Sequence, residues 1–281
     1  MIETAIELMN PRPQPGRRAV AWHRTTWFEV LQFVVLVGLL TAFIVRGAQS
    51  MDYQWKWARV PQYLFKVVDG ELIWGPLMKG VFVTLDIAWQ AGLLALGIGL
   101  AAALLRLSRS RAGPALAWAY IEVIRNTPIL VQILIFYFII AAILGIPRLW
   151  AGILSLAFYE GAFTAEIIRG AIVAVRRGQR EAAQSLGFSA FDMYRDIILP
   201  QAIPLMLPPL GGVLVNLVKH SAIVSVIAVF DLTTQARTVV SDTFLAFEIW
   251  LTCAAMYLVI TIALSMVVAW LERRYQVGRE A

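Results

Sequence analysis

A chain of 281 residues that is 60% hydrophobic and 15% charged, with a mean hydropathy of +0.73, carries more apolar surface than one core can hide. Soluble domains run at roughly 45–50% apolar and about 25% charged residues, so part of this chain must face lipid. That excludes a soluble enzyme, a nucleic-acid binder and a secreted disulfide scaffold, and the net charge of +6 becomes a question of where the basic residues fall.

Residues 1–26 read as a cytoplasmic tail and not as a signal peptide. They hold Pro11, Pro13, Pro15 and four arginines, and no small-residue cleavage site follows the next apolar run. A span needs about 20 mostly apolar residues to cross roughly 30 Å of hydrocarbon. The first candidate, Trp27–Val45, is clean, and residues 46–77 then form an extracytoplasmic loop with Tyr53, Trp55 and Trp57 suited to an interface. The second span, Val81–Leu105, carries Asp86 and Gln90 near its start and the small residues Ala95, Gly99 and Ala103 every four positions. That stripe suits close helix approach, within the chain or between subunits. The third, Ile129–Leu144, is short and opens beside Pro128, with Gln132 inside it.

The fourth span, Leu149–Ile168, contains Glu160, ~15 Å in from Trp150 and therefore near the bilayer centre. An ionisable group there faces a substrate pathway or a buried partner on another helix. Glu166 and Arg169, one turn apart, read as an ion pair. The fifth span, Leu205–Phe230, is irregular through Pro208 and Pro209 and polar through Asn216 and Lys219. Asn216 lies ~17 Å in from Leu205. Lys219 either snorkels along its apolar stem or offers a charge to a substrate carboxylate. The last span is Ile249–Leu271, with Cys253 and Tyr257 expected in its packed face. Trp27, Trp150, Trp250 and Trp270, like Trp22, read as interface anchors.

Sixteen basic residues fall with the tail, the loop after the second span, residues 169–195 and the C-terminus, against eight on the other side. Both termini are therefore expected in the cytoplasm. The single Cys253 and the separated His23 and His220 offer neither a disulfide framework nor a metal site.

Residues 176–204 are the most informative stretch. Arg176-Arg177-Gly178 ends the fourth span, a short helix from Gln179 to Leu186 stops at Gly187, and Ser189-x-x-Asp192 is a capping box that opens a second helix ending at Pro200. Two short helices meeting at a glycine make a knob, with Ala182 and Ala183 keeping one face flat. Glu181-Ala182-Ala183, then Gly187, then Ile197-x-Leu199-Pro200 resembles the EAA motif of permease subunits in binding-protein-dependent ABC importers. Gly80-x-x-x-Thr84-Leu85, Glu122-x-x-Arg125-x-Thr127-Pro128-x-Leu130-Val131-Gln132 and Gly161-Ala162-Phe163-x-Ala165-Glu166-x-x-Arg169-Gly170 resemble further motifs of its polar amino acid branch. His220 departs from the pattern, standing where the family usually has a small acidic or amide residue.

The resemblance implies an all-α integral membrane fold of about six spans: a five-helix type I importer core over 78–274 plus the extra helix 27–45. It implies a multi-pass protein of the bacterial cytoplasmic (inner) membrane that moves polar amino acids by alternating access. Implied partners are two ATP-binding subunits, a second permease subunit, identical or homologous, and an extracytoplasmic binding protein. The coupling residues carried over are Glu181, Ala182, Ala183, Gly187, Leu199 and Pro200. Expected pathway residues are Glu160, Asn216, Lys219, Gln132 and Asp86, with Glu160 receiving the α-ammonium common to all amino acids. No G-x-x-x-x-G-K-[ST] loop is present, so no cofactor is expected in this chain, and ATP and Mg²⁺ belong to the partners. A passive channel would need no docking knob. An intramembrane enzyme would need a catalytic pair at one depth, which Asp86, Glu160 and Glu166 do not form.

Overall fold

The computed structural model describes residues 26–51 and 53–276. The tail with Arg12, Arg17, Arg18 and Arg24, together with Trp22, His23 and the end with Arg279, lies outside the described residues. The chain divides into two compact units, residues 1–55 and 56–281. The first contributes α1 (Thr26–Ser50), a 25-residue helix apolar on every side and exposed along its length, as a lipid-facing span is.

The second unit opens with a 3-10 turn at Trp57–Arg59, followed by the short helix α2 (Pro61–Leu64) and an antiparallel hairpin, β1 (Phe65–Val68) and β2 (Glu71–Trp74), which the sequence reading did not anticipate. Its turn is Asp69-Gly70, both at positive φ, the geometry that matches the twist of a two-residue hairpin. α3 (Pro76–Leu107) follows, with Pro76 in its first turn where no N–H is needed. α6 (Arg148–Ala174) runs parallel to it and is the most buried span. The reason lies in its residues: Ala151, Gly152, Ser155, Ala157, Gly161, Ala162 and Ala165 let neighbouring backbones come close. Ile87 and Ala91 of α3 meet Ile153 and Leu156 of α6 in the central core.

The small-residue stripe of α3 is used inside the chain. Ala95 and Ala103 are buried, and a Cβ added at Gly99 would overlap the Thr164 side chain and stand 3.0 Å from the Ala165 nitrogen. Gly99→Val should therefore overpack the α3–α6 seam at a cost of roughly 1–3 kcal/mol. Gly97→Val, with nothing within 4 Å of the added atom, should leave the thermal midpoint of the purified protein unchanged.

The third expected span is the second limb of a bent pair. α4 (Ala112–Arg125) and α5 (Ile129–Leu144) meet at 108° across residues 126–128. Pro128 pushes Thr127 out of the helical region, and the bend frees carbonyls that need partners. Gln132 supplies them: its Nε2 donates to the carbonyls of Ile124 (2.7 Å) and Thr127 (2.9 Å). Gln132 thus holds the bend.

α7 (Arg177–Ser185) lies in the loop after α6. The capping box forms as expected, with the Asp192 N–H donating to Ser189 Oγ at 3.2 Å. The helix it opens does not end at Pro200, however. α8 runs from Ala190 to Ile227, through a π-helical turn at Met193–Ile198 and past Pro204, Pro208 and Pro209. Pro200, Pro204 and Pro208 are four apart, so the lost bonds fall on one stripe, and in hydrocarbon a full break would leave more backbone unpaired. The knob is therefore one short helix against the start of a span.

α9 (Leu232–Thr243), also unanticipated, is capped by buried Asp231, which accepts from the Thr233 and Thr234 N–H groups. α10 (Ala246–Gln276) completes the unit, its Cys253 buried and its Tyr257 hydroxyl bonded to Thr233. Glu248 of α10 is fully buried and accepts from the Lys56 N–H at 2.6 Å.

Candidate functional site

α6 and α8 face each other along a pocket of about 300 Å³, at the small end of the range for ligand cavities. α6 contributes Tyr159, Glu160, Phe163 and Ile167, and α8 contributes Pro209, Gly212, Val213, Asn216 and His220. Each set follows helical spacing, so each is one face of its helix. Gly212 keeps room open, since an added Cβ would meet nothing within 4 Å.

Glu160 lies 12 residues from the start of α6 and 14 from its end. Its carboxylate is buried, and Oε1 stands 2.7 Å from Nδ1 of His220. Tyr159 sets its ring edge-on to the imidazole, 84° between planes and 5.6 Å between centroids. A buried carboxylate is tolerated where a hydrogen-bonded partner shares its charge. The departure from the family pattern at His220 is thus paired with the mid-span carboxylate of α6, 60 positions away.

Of the other expected pathway residues, Asn216 lines the same pocket, one turn before His220. Lys219 is exposed and does not line it. Asp86 is exposed on α3, where it accepts from Gln90 Nε2 at 2.8 Å. Gln132 is occupied by the α4–α5 bend. Glu166 and Arg169 form the expected ion pair at 2.7 Å, and Arg125 stacks over Phe163 at 5.4 Å.

The loop after α6 has a second kind of surface. Gly187 adopts φ +79° and ends α7, its neighbours closing the turn through Phe188 N–H to the Ala183 carbonyl at 3.1 Å. Ala183 is fully buried against Ile172, Val175 and Ile198, so it anchors the knob and offers no face to a partner. Ala182 is exposed, and Glu181, also exposed, pairs with Arg177 at 2.8 Å. Leu199 is half-buried and Pro200 exposed. What projects is apolar: Leu186, Phe188 and Phe191 are all exposed around the glycine. Arg180 ties α7 to the end of α6 through the Ile172 carbonyl. The three apolar residues escape sequence reasoning because an exposed apolar side chain and a buried one look alike until the neighbouring helix is placed.

The fold thus combines a bent third span, a mid-span pocket between two long helices and a projecting loop. Residues 95–277 match the family described as binding-protein-dependent transport system inner membrane component. The chain belongs to this family. It is 42% identical over 202 residues to the probable glutamine ABC transporter permease protein GlnM of Bacillus subtilis (strain 168), covering 71% of this chain and 93% of that protein. It is 37% identical to the glutamine transport system permease protein GlnP of Escherichia coli (strain K12), covering 74% and 98%. Among solved structures, a crystal structure of an amino acid ABC transporter with histidines matches at 41% identity and a TM-score of 0.67, covering 71% of this chain and 94% of that one. The methionine ABC transporter MetNI in inward-facing conformations shares the fold at 20% identity and a TM-score of 0.61. In every case the matched part leaves out more than a quarter of this chain.

Proposed function

We propose that this chain is one permease half of an ATP-driven importer of polar amino acids, with the pocket between α6 and α8 on the substrate path. The carrying observation is the pairing of a buried carboxylate with a half-exposed imidazole at mid-span, in a cavity sized for a small polar solute. The relatives named for glutamine and the transporter holding histidines support the substrate class. Glu160, His220 and Asn216 are the pathway residues of this reading. The core domain spans 78–274, and the loop at 176–204 docks one of two ATP-binding subunits through Leu186, Phe188 and Phe191. Those subunits hold ATP and Mg²⁺. A second permease subunit completes the channel, and a binding protein delivers substrate at the hairpin end. Glu160→Gln should lower uptake of labelled L-glutamine by the reconstituted complex at least about tenfold, the worth of one charge-assisted hydrogen bond. Uptake at the wild-type rate by an assembled Glu160→Gln complex would remove the pocket from the path.

The orientation in this proposal puts the Arg177 loop and both termini in the cytoplasm. Arg106, Arg169 and Arg176 cluster at the same end of the helices as this loop, while the hairpin sits at the other. In a Cys253→Ser background, Glu71→Cys should react with an impermeant thiol reagent on intact cells and Gln184→Cys should not. The opposite pattern would invert the assignment.

A further inference from the structure

Of the Glu160–His220 pair, the carboxylate side chain is 3% exposed and the imidazole 30%. An occupant of the pocket therefore meets the ring, and the carboxylate stands behind it. Three protonation states place a hydrogen between Nδ1 and Oε1. When the carboxylate is ionised and the ring is an imidazolium, Nδ1–H donates to Oε1 and Nε2 also carries a hydrogen. When the carboxyl is protonated and the ring neutral, the carboxyl O–H donates to Nδ1, and the ring hydrogen again sits on Nε2. Only an ionised carboxylate beside a neutral ring leaves Nε2 bare.

That third state buries one net negative charge halfway along a span, where hydrocarbon makes it costly. Among the described residues Glu160 makes no ion pair other than that with His220, and Arg125 stacks over Phe163. Both net-neutral states present Nε2–H as a donor, and no hydrogen bond among the described residues engages that atom. Asn216, one turn away on the same face of α8, adds amide N–H groups to the same wall.

We infer that the pocket receives the carboxylate end of its amino acid, on Nε2–H of His220. Glu160 is then a positioning residue that fixes the ring and its hydrogen, and it does not receive the ammonium. This inference rests on the reading of the pocket as part of the substrate path.

The test compares three ligands on the purified complex of permease and ATP-binding subunits, without binding protein, whose own selectivity would otherwise dominate. The ligands are L-glutamine, glutaramic acid, which lacks the α-ammonium, and 4-aminobutanamide, which lacks the α-carboxylate. Thermal stabilisation is titrated with each. L-glutamine and glutaramic acid should bind, and 4-aminobutanamide should bind at least about tenfold more weakly, as expected for one lost charge-assisted hydrogen bond. His220→Asn should erase that selectivity ratio, which a merely structural role would not move. The wild-type comparison decides the matter even if the variant does not fold. Binding of 4-aminobutanamide but not glutaramic acid would overturn the inference and leave the pocket on the path. Binding of none of the three would overturn both.

Discussion

Replacing Gly187 by valine is expected to abolish binding-protein-stimulated ATP hydrolysis and uptake together, while the permease itself remains folded. Gly187 sits at φ +79°, and a Cβ added there meets nothing within 4 Å, so the substitution acts through the backbone alone. Left-handed backbone costs an ordinary residue roughly 1–2 kcal/mol, and for a β-branched one it is a genuine outlier. The strain is relieved by turning α7 away from the start of α8, which displaces Leu186 and Phe188 on either side of the glycine. Gly187→Asn, which tolerates this region, should retain most of the stimulation. The readout is the ratio of stimulated to basal ATP hydrolysis in proteoliposomes, alongside labelled amino acid uptake. Full stimulation with valine would mean that the shape of this turn does not carry the stroke.

The second large effect is expected at the buried pair. His220→Leu removes the partner of a carboxylate that is 3% exposed, and breaking a buried pair from one side costs about 3–5 kcal/mol. The thermal midpoint should fall sharply, and uptake with it. Adding Glu160→Met should bring stability most of the way back, because two apolar groups of similar volume replace the pair without an unpaired charge. Uptake should stay lost in the double variant. That separation of stability from transport is the purpose of the cycle. Additive losses in stability would show that the two side chains do not depend on each other.

Much of this molecule was legible in one dimension. The hydropathy excess determined a membrane protein, because about 20 apolar residues in a row have no other use. The i,i+3 pair of Glu166 and Arg169, the cap at Ser189 and the left-handed Gly187 followed from spacing alone, since each joins residues within one turn. The ordered motifs around Glu122, Gly161 and Glu181 marked the family for the same local reason.

The tertiary structure decided what depends on how the helices meet. Gln132 was legible as a polar group in a span, but only the α4–α5 bend shows which carbonyls its amide meets. Ala183 seemed a flat docking surface until α6 and α8 closed over it. Pro200 looked like a helix end, but in hydrocarbon backbone groups must stay paired within the helix, and α8 continues past it. Glu160 could be placed at mid-span by counting, yet its partner could not. An ionisable group inside a membrane seeks whatever lies across the helix interface, and only the packing of α6 on α8 brings His220 to 2.7 Å from it.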